Sequence, residues 1–154
     1  SVISEKIWLG PAAICFFFLL HSMIATTARA DFILATIAVM IGLVIDTVLV
    51  QVGLLRFEMS LPWPGAAPFW ILILWANLAL TLNNGLSWLK GRYKTSAILG
   101  FVGGPLSYFF GIRLGAGELL VTPGIALLII GLCWSIVTPF LLFTAKKLTK
   151  KTKT

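Results

Sequence analysis

Residues 32–53 read FILATIAVMIGLVIDTVLVQVG. One ionisable residue, Asp46, interrupts an apolar run about as long as the roughly 20 residues a helix needs to cross hydrocarbon. Four further runs have the same character, at about 7–25, 69–88, 97–116 and 119–144. Lipid offers no partner to a backbone N–H or C=O, so such runs become helices, which satisfy both groups internally. Composition agrees. Of 154 residues, 59% are hydrophobic and 11% are charged, against about 25% charged in an ordinary soluble domain. The expected fold is all-α, a polytopic transmembrane bundle of five helices. It forms one domain over 1–145, with a basic tail at 146–154.

Charge placement orients that bundle. Five basic residues, Lys146, Lys147, Lys150, Lys151 and Lys153, crowd the C-terminus, and Lys90, Arg92 and Lys94 share one short connector. Two intervening spans put that connector and the tail on one side, with Arg29 and a single acid, Asp31. The other side balances Lys6, Arg56 and Arg113 against Glu5, Glu58 and Glu118. The positive-inside rule then predicts a cytoplasmic C-terminus and an external N-terminus. Trp8, Trp63 and Trp70 near the outer boundary, and Trp88 at the inner one, form an aromatic belt. Basic clusters beside apolar runs fit anionic lipid headgroups, and no nucleic-acid partner is expected. Ala28-Arg29-Ala30 after a hydrophobic run imitates a signal-peptide cleavage site, but that run is long for a signal, and the first span is expected to be retained.

The long 54–68 connector holds Pro62-Trp63-Pro64-Gly65, which resists regular structure; it is expected along the outer interface as a surface loop, with capping of a cavity as the alternative. Gly115, Gly117 and Glu118 mark a tight junction, so the last two spans should form a close hairpin.

Polar groups at membrane depth are costly and are the candidate site. Helical rise places Asp46 roughly 10 Å below the outer boundary, with Asn77 and Tyr108 near the same level and Arg113 about a turn further out, within reach of Asp46. A deeper layer, roughly 20 Å down, holds His21 and the Asn83-Asn84 pair, whose side chains point about 100° apart. Asp46 is then a proton carrier or substrate anchor in a polar cavity, or a structural partner of Arg113 in a bundle whose asparagines link helices. One histidine supplies neither a bis-histidine haem site nor a typical zinc site, and no cofactor or metal is expected. Cys15 and Cys133 sit in apolar runs and read as buried, inert thiols.

Gly100, Gly104, Ser107, Gly111 and Gly115 draw a small-residue stripe along the fourth span. Such a stripe admits a close helix, from this chain, a second copy or a partner subunit. Gly103-Gly104-Pro105 within it is expected to bend the helix or free carbonyls to face a cavity.

GLVIDTVLVQVGLLRF (42–57), LWANLALTLNNGLSWLKGR (74–92) and GFVGGPLSYFFGIRLGA (100–116) together resemble a bacterial inner-membrane family of unknown function. Its patterns are of the form GLLVDS, TLNHSLxWL and GGPLAYxxGxRLGA, and the resemblance covers about residues 8–145. It includes Asp46, Asn83, Ser87, Arg113 and the Gly-Gly-Pro step. Asn84 stands where that pattern often has histidine, which weakens an acid–base role there. The family also carries a further hydrophobic segment at its start, which makes a six-helix protein with both termini inside the alternative to five. The resemblance implies a periplasmic N-terminus for this chain and no known activity. It points to a setting beside fatty-acid-modifying enzymes, including cyclopropane-synthase-like ones.

Three functions follow as expectations. The first is an accessory protein or small enzyme of membrane lipid and fatty-acid modification, holding an acyl chain between helices. The second is a small proton-coupled carrier, and the third a structural subunit using the glycine stripe. No nucleophile elbow, phosphate loop or nucleotide fingerprint assigns a reaction.

Overall fold

The computed structural model describes residues 28–58 and 65–151. Four helices run through them: α1 (Ala28–Gln51), α2 (Phe69–Asn83), α3 (Tyr93–Arg113) and α4 (Pro123–Lys151). Two three-residue strands, β1 (Leu55–Phe57) and β2 (Gly117–Leu119), join them, and a 3₁₀ turn spans Ser87–Leu89. α1, α3 and α4 are long and apolar enough to cross a membrane, which makes this a multi-pass membrane protein. The expected first span at 7–25, with Cys15 and His21, lies outside the described residues, as do Pro62, Trp63 and Pro64.

The expected third span, 69–88, is shorter than its hydropathy suggests. α2 has 15 residues, about 22 Å of rise, short of the roughly 30 Å of hydrocarbon. It stops because the Asn83 carboxamide turns to Asp31 and Lys90, and because the next residues, Asn84 and Gly85, favour a turn. The Leu86 amide donates back to the Thr81 carbonyl at 2.7 Å, closing the end before the 3₁₀ turn begins.

Packing follows from where side chains are missing. α1 packs mainly on α2, α3 mainly on α4, and α4 also meets α1 and α2. Gly42 of α1 lies so close to Trp75 of α2 that a Cβ there would fall within the indole. Trp75 stacks on Trp134 of α4, with centroids 4.8 Å apart and planes 20° apart. Gly104 of α3 closes the other face, since a Cβ at that position would fall within the Trp134 ring. The cross-section is thus a stack of glycine, indole, indole and glycine that orders the helices α1, α2, α4, α3. Around it Leu34, Ala38, Ala79, Ile130 and Leu141 are buried.

The small-residue stripe divides along its length. Gly100 and Gly104 accept α4, with the Trp134 carbonyl and the Thr138 hydroxyl lying directly over Gly100. Ser107 and Gly111 line a cavity instead, and Gly115, at φ +84°, turns the chain out of α3. α3 runs through Pro105. The proline cannot donate to the Phe101 carbonyl, and that oxygen faces Gly131 of α4, 3.0 Å from where a Cβ would stand. The freed carbonyl is therefore packed against the backbone of α4 at Gly131.

The expected hairpin of α3 and α4 is present, but β2 interrupts it. β2 pairs antiparallel with β1 in the register Leu55↔Leu119, Arg56↔Glu118, Phe57↔Gly117. Leu55 and Phe57 turn inward, while Arg56 and Glu118 pair on the exposed face. Glycine is required at 117, because a Cβ would meet the Arg56 carbonyl and the Phe57 backbone. Within the 54–68 connector, Leu55–Phe57 thus form one strand of this ribbon, and Ala67 ties the far end to α1, its N–H donating to Thr47 Oγ1 at 3.1 Å.

These glycines make opposite predictions. Gly104→Leu forces the Trp134 ring to move and should cost roughly 1–3 kcal/mol or more. Gly103→Ala, one residue away with nothing within 4 Å, should match or slightly exceed wild-type stability. Thermal unfolding in a mild detergent reads both, and equal losses would contradict the packing.

Candidate functional site

Asp46 is fully buried on α1, facing the seam between α2 and α3. Trp75 Nε1 donates to its Oδ2 at 2.7 Å, and the Tyr108 hydroxyl donates to its Oδ1 in a short bond. Tyr108 in turn meets the Trp134 ring edge-on at 6.5 Å. One carboxyl thus draws a donor from each of two other helices, and the indole stack adds the fourth. Both donors stand beside the cavity that Ser107 and Gly111 line, because Trp75 and Tyr108 are among its walls.

Arg113, expected near Asp46, is elsewhere. Its guanidinium lies 5.2 Å from the Phe109 ring and is exposed. The position five residues on from Tyr108 lies about 140° further round the helix, so only one of the two can face α1. The outer layer therefore keeps Asp46 and Tyr108, gains Trp75 and loses Arg113.

Asn77 stands near that level, on the wall of a cavity between α2 and α3. Its carbonyl accepts the Thr81 hydroxyl at 2.9 Å, while its carboxamide has no hydrogen-bond partner among the described residues. The cavity measures about 440 Å³ and is half open at the surface, within the roughly 300–1,000 Å³ of small-molecule sites. It exists because α2 and α3 scarcely touch. Gly103 and Ser107 line one wall, Leu78 and Thr81 the other, and Trp134 and Thr138 the floor. Its lining is mostly apolar. Phe57 and Ala116 close it at the ribbon end, and Leu86 and Leu89 flank it at the other. Among the described residues, buried Thr138 Oγ1 and Trp134 Nε1 have no hydrogen-bond partner; the former is turned onto Gly100, as the packing requires.

The deeper layer centres on a residue that the sequence reading counted only as a loop charge. Asp31, in the first turn of α1, is 2% exposed. Its Oδ1 accepts a short bond from Asn83 Nδ2 and a longer one, 3.5 Å, from Asn84 Nδ2. Lys90 Nζ donates to Asn83 Oδ1 at 2.6 Å and to its carbonyl at 3.0 Å. Both asparagines thus reach one carboxylate despite their angular separation, because the helix ends between them. The signal available in sequence was Asp31 at a helix N-terminus, where an acid complements the dipole. Burial holds the Lys90 ammonium below lysine's usual 10.5, and Asp31 pulls it part of the way back. Among the described residues no cluster suits a metal ion, and Cys133 is free and half-buried.

Two measurements probe these networks. A double-mutant cycle with Asp46→Ala and Tyr108→Phe should give a coupling of about 0.5–3 kcal/mol, as for residues sharing a hydrogen bond; additive losses would deny that bond. Asp31→Asn should lower the pKa of Lys90 further, because the carboxylate is what raises it. Titrating ¹³C-dimethylated lysines by NMR in micelles reads the shift, and an unchanged or raised value would refute the pairing.

No curated protein and no solved structure matches the chain. Residues 2–140 match a family described as Protein of unknown function (DUF2878). The shared region takes in every element of the Asp46 and Asp31 networks and all but the end of α4, and the chain belongs to that DUF2878 family of proteins of unknown function.

Proposed function

We propose that this chain serves membrane lipid and fatty-acid modification as an accessory protein or small enzyme of a bacterial inner membrane, holding one acyl chain between α2 and α3. The groove carries the reading. It is apolar and half open, and lies between helices whose outward faces carry exposed Leu74, Leu99 and Leu106. From Gly100 to Gly111 it follows α3 for about 16 Å, a shape suited to a chain and poorly suited to a compact polar solute. The free carboxamide of Asn77 on its wall supplies a donor for a carbonyl or headgroup. By the positive-inside rule the lysine-rich end faces the cytoplasm.

One observation favours a second reading, a proton-coupled carrier. Asp46 is a fully buried ionisable group whose donor Tyr108 borders the groove, and ionisable residues at membrane depth often belong to transport pathways. A carrier requires Asp46 to exchange its proton. Asp46→Asn in proteoliposomes would then abolish proton flux, whereas the lipid reading leaves flux at the background of empty vesicles in both proteins.

The lipid reading is tested by purifying the chain in mild detergent and measuring co-purifying lipid by mass spectrometry. Gly103→Leu fills the groove at a position with nothing within 4 Å, so it should fold normally and lose most of the bound lipid. Equal lipid content in the two proteins would overturn the reading.

A further inference from the structure

The groove ends beside the most strongly charged part of the molecule. Leu86 and Leu89 line its lower end, and Lys90, Arg92 and Lys94 follow at once in the connector to α3. The last helix brings its own charges to the same place. Lys146 Nζ lies 3.3 Å from where a Cβ on Gly91 would stand, and Lys147 sits over the Phe143 ring at 4.5 Å. Against these cations the described residues offer one acid at this end, Asp31, which the asparagines already engage. The ribbon end is balanced instead: Arg56 is paired with Glu118 there, and Glu58 and Arg113 add one charge of each sign.

Polar side chains continue from the basic end into the groove. Thr81 lines it within a turn of the end of α2, and the partnerless carboxamide of Asn77 stands one turn deeper. Apolar walls follow beyond, up to Phe57. Anionic group, short polar stretch, long apolar tail: that is the order of chemistry along a glycerophospholipid. We infer that the groove binds an anionic glycerophospholipid from the leaflet at the lysine-rich end. Its phosphate lies against Arg92 and Lys94, its ester carbonyl accepts from Asn77, and one acyl chain lies along α3. This rests on the acyl-chain reading above and adds the headgroup, the leaflet and the direction of entry. Charge balance favours this direction of entry, since the ribbon end sets Arg56 and Arg113 against Glu58 and Glu118 while the opposite end carries an excess of cations.

The test uses the full chain in detergent, with binding read by native mass spectrometry and by titration of fluorescent lipid. The probes are dioleoyl phosphatidylglycerol, dioleoyl phosphatidylcholine with identical chains, and soluble glycerol phosphate. Phosphatidylglycerol should bind on the order of tenfold tighter than phosphatidylcholine, a preference that fades with added salt. The double variant Arg92→Gln/Lys94→Gln should bring phosphatidylglycerol down to the phosphatidylcholine level and leave phosphatidylcholine unchanged. Gly103→Leu should weaken both lipids. Equal binding of the two lipids, both lost in Gly103→Leu, would overturn the headgroup assignment and leave the acyl groove standing. A phosphatidylglycerol preference that survives Gly103→Leu would mean surface attraction without a chain in the groove, and would sink the inference. Glycerol phosphate binding as tightly as the lipid would do the same, and binding of neither lipid would remove both readings together.

Discussion

A carboxyl group at membrane depth has no water to turn to, and Asp46 meets that constraint with two neutral donors from two other helices. Left unpaired in hydrocarbon it would cost several kcal/mol or more. Helix α1 is therefore tolerable only once α2 brings Trp75 and α3 brings Tyr108. The donors then impose their own conditions. An indole held at Asp46 needs a flat space on each side, which Gly42 supplies on one face and Trp134 on the other. Trp134 in turn needs Gly104. A single polar requirement thus propagates through four helices by shape, which in lipid substitutes for a hydrophobic driving force between helices.

The groove is a consequence of the same arrangement. Two indoles stacked between α2 and α4 set those helices apart by more than small residues would allow, while Gly100 and Gly104 draw α3 tightly onto α4. Helix α3 is pulled away from α2, and the two scarcely touch. Ser107 and Gly111, on the same stripe as the packing glycines, are left facing space. A close-packed bundle would have spent the whole stripe on contact. Here half of it makes a wall.

How much of this was legible in the sequence depends on the kind of signal. The apolar runs mark the three long helices, and helical rise suffices to bring Asp46 and Tyr108 within hydrogen-bonding reach, since depth depends only on residue count. Azimuth and exact ends do not, so residue count alone sets Arg113 within reach of Asp46 and carries the third span to 88, five residues past the end of α2. Trp75 and Trp134 were invisible as partners because an indole scores as apolar while carrying a donor. Asp31 reads as a loop charge in the sequence because its burial depends on where α2 stops. The ribbon escaped notice because LRF and GEL are too short to show alternation, and the glycine that allows their pairing reads as an ordinary turn residue.

The two ends of the bundle are built on different principles, and that difference gives the groove a direction. At the ribbon end the backbone closes on itself through β1 and β2, Phe57 fills the mouth, and Arg56 and Glu118 cancel one another. At the other end α2 finishes early, so a 3₁₀ turn and a connector rich in cations cover the distance that a longer helix would have spanned. The early stop is enforced by Asp31, which takes the Asn83 carboxamide and holds Lys90 through it. Were α2 to continue through residue 88, its extra turn would carry the connector away from the groove and its cations away from α4. The short helix and the buried acid thus act together: one network fixes where the groove ends, and in doing so sets a basic surface beside an apolar channel.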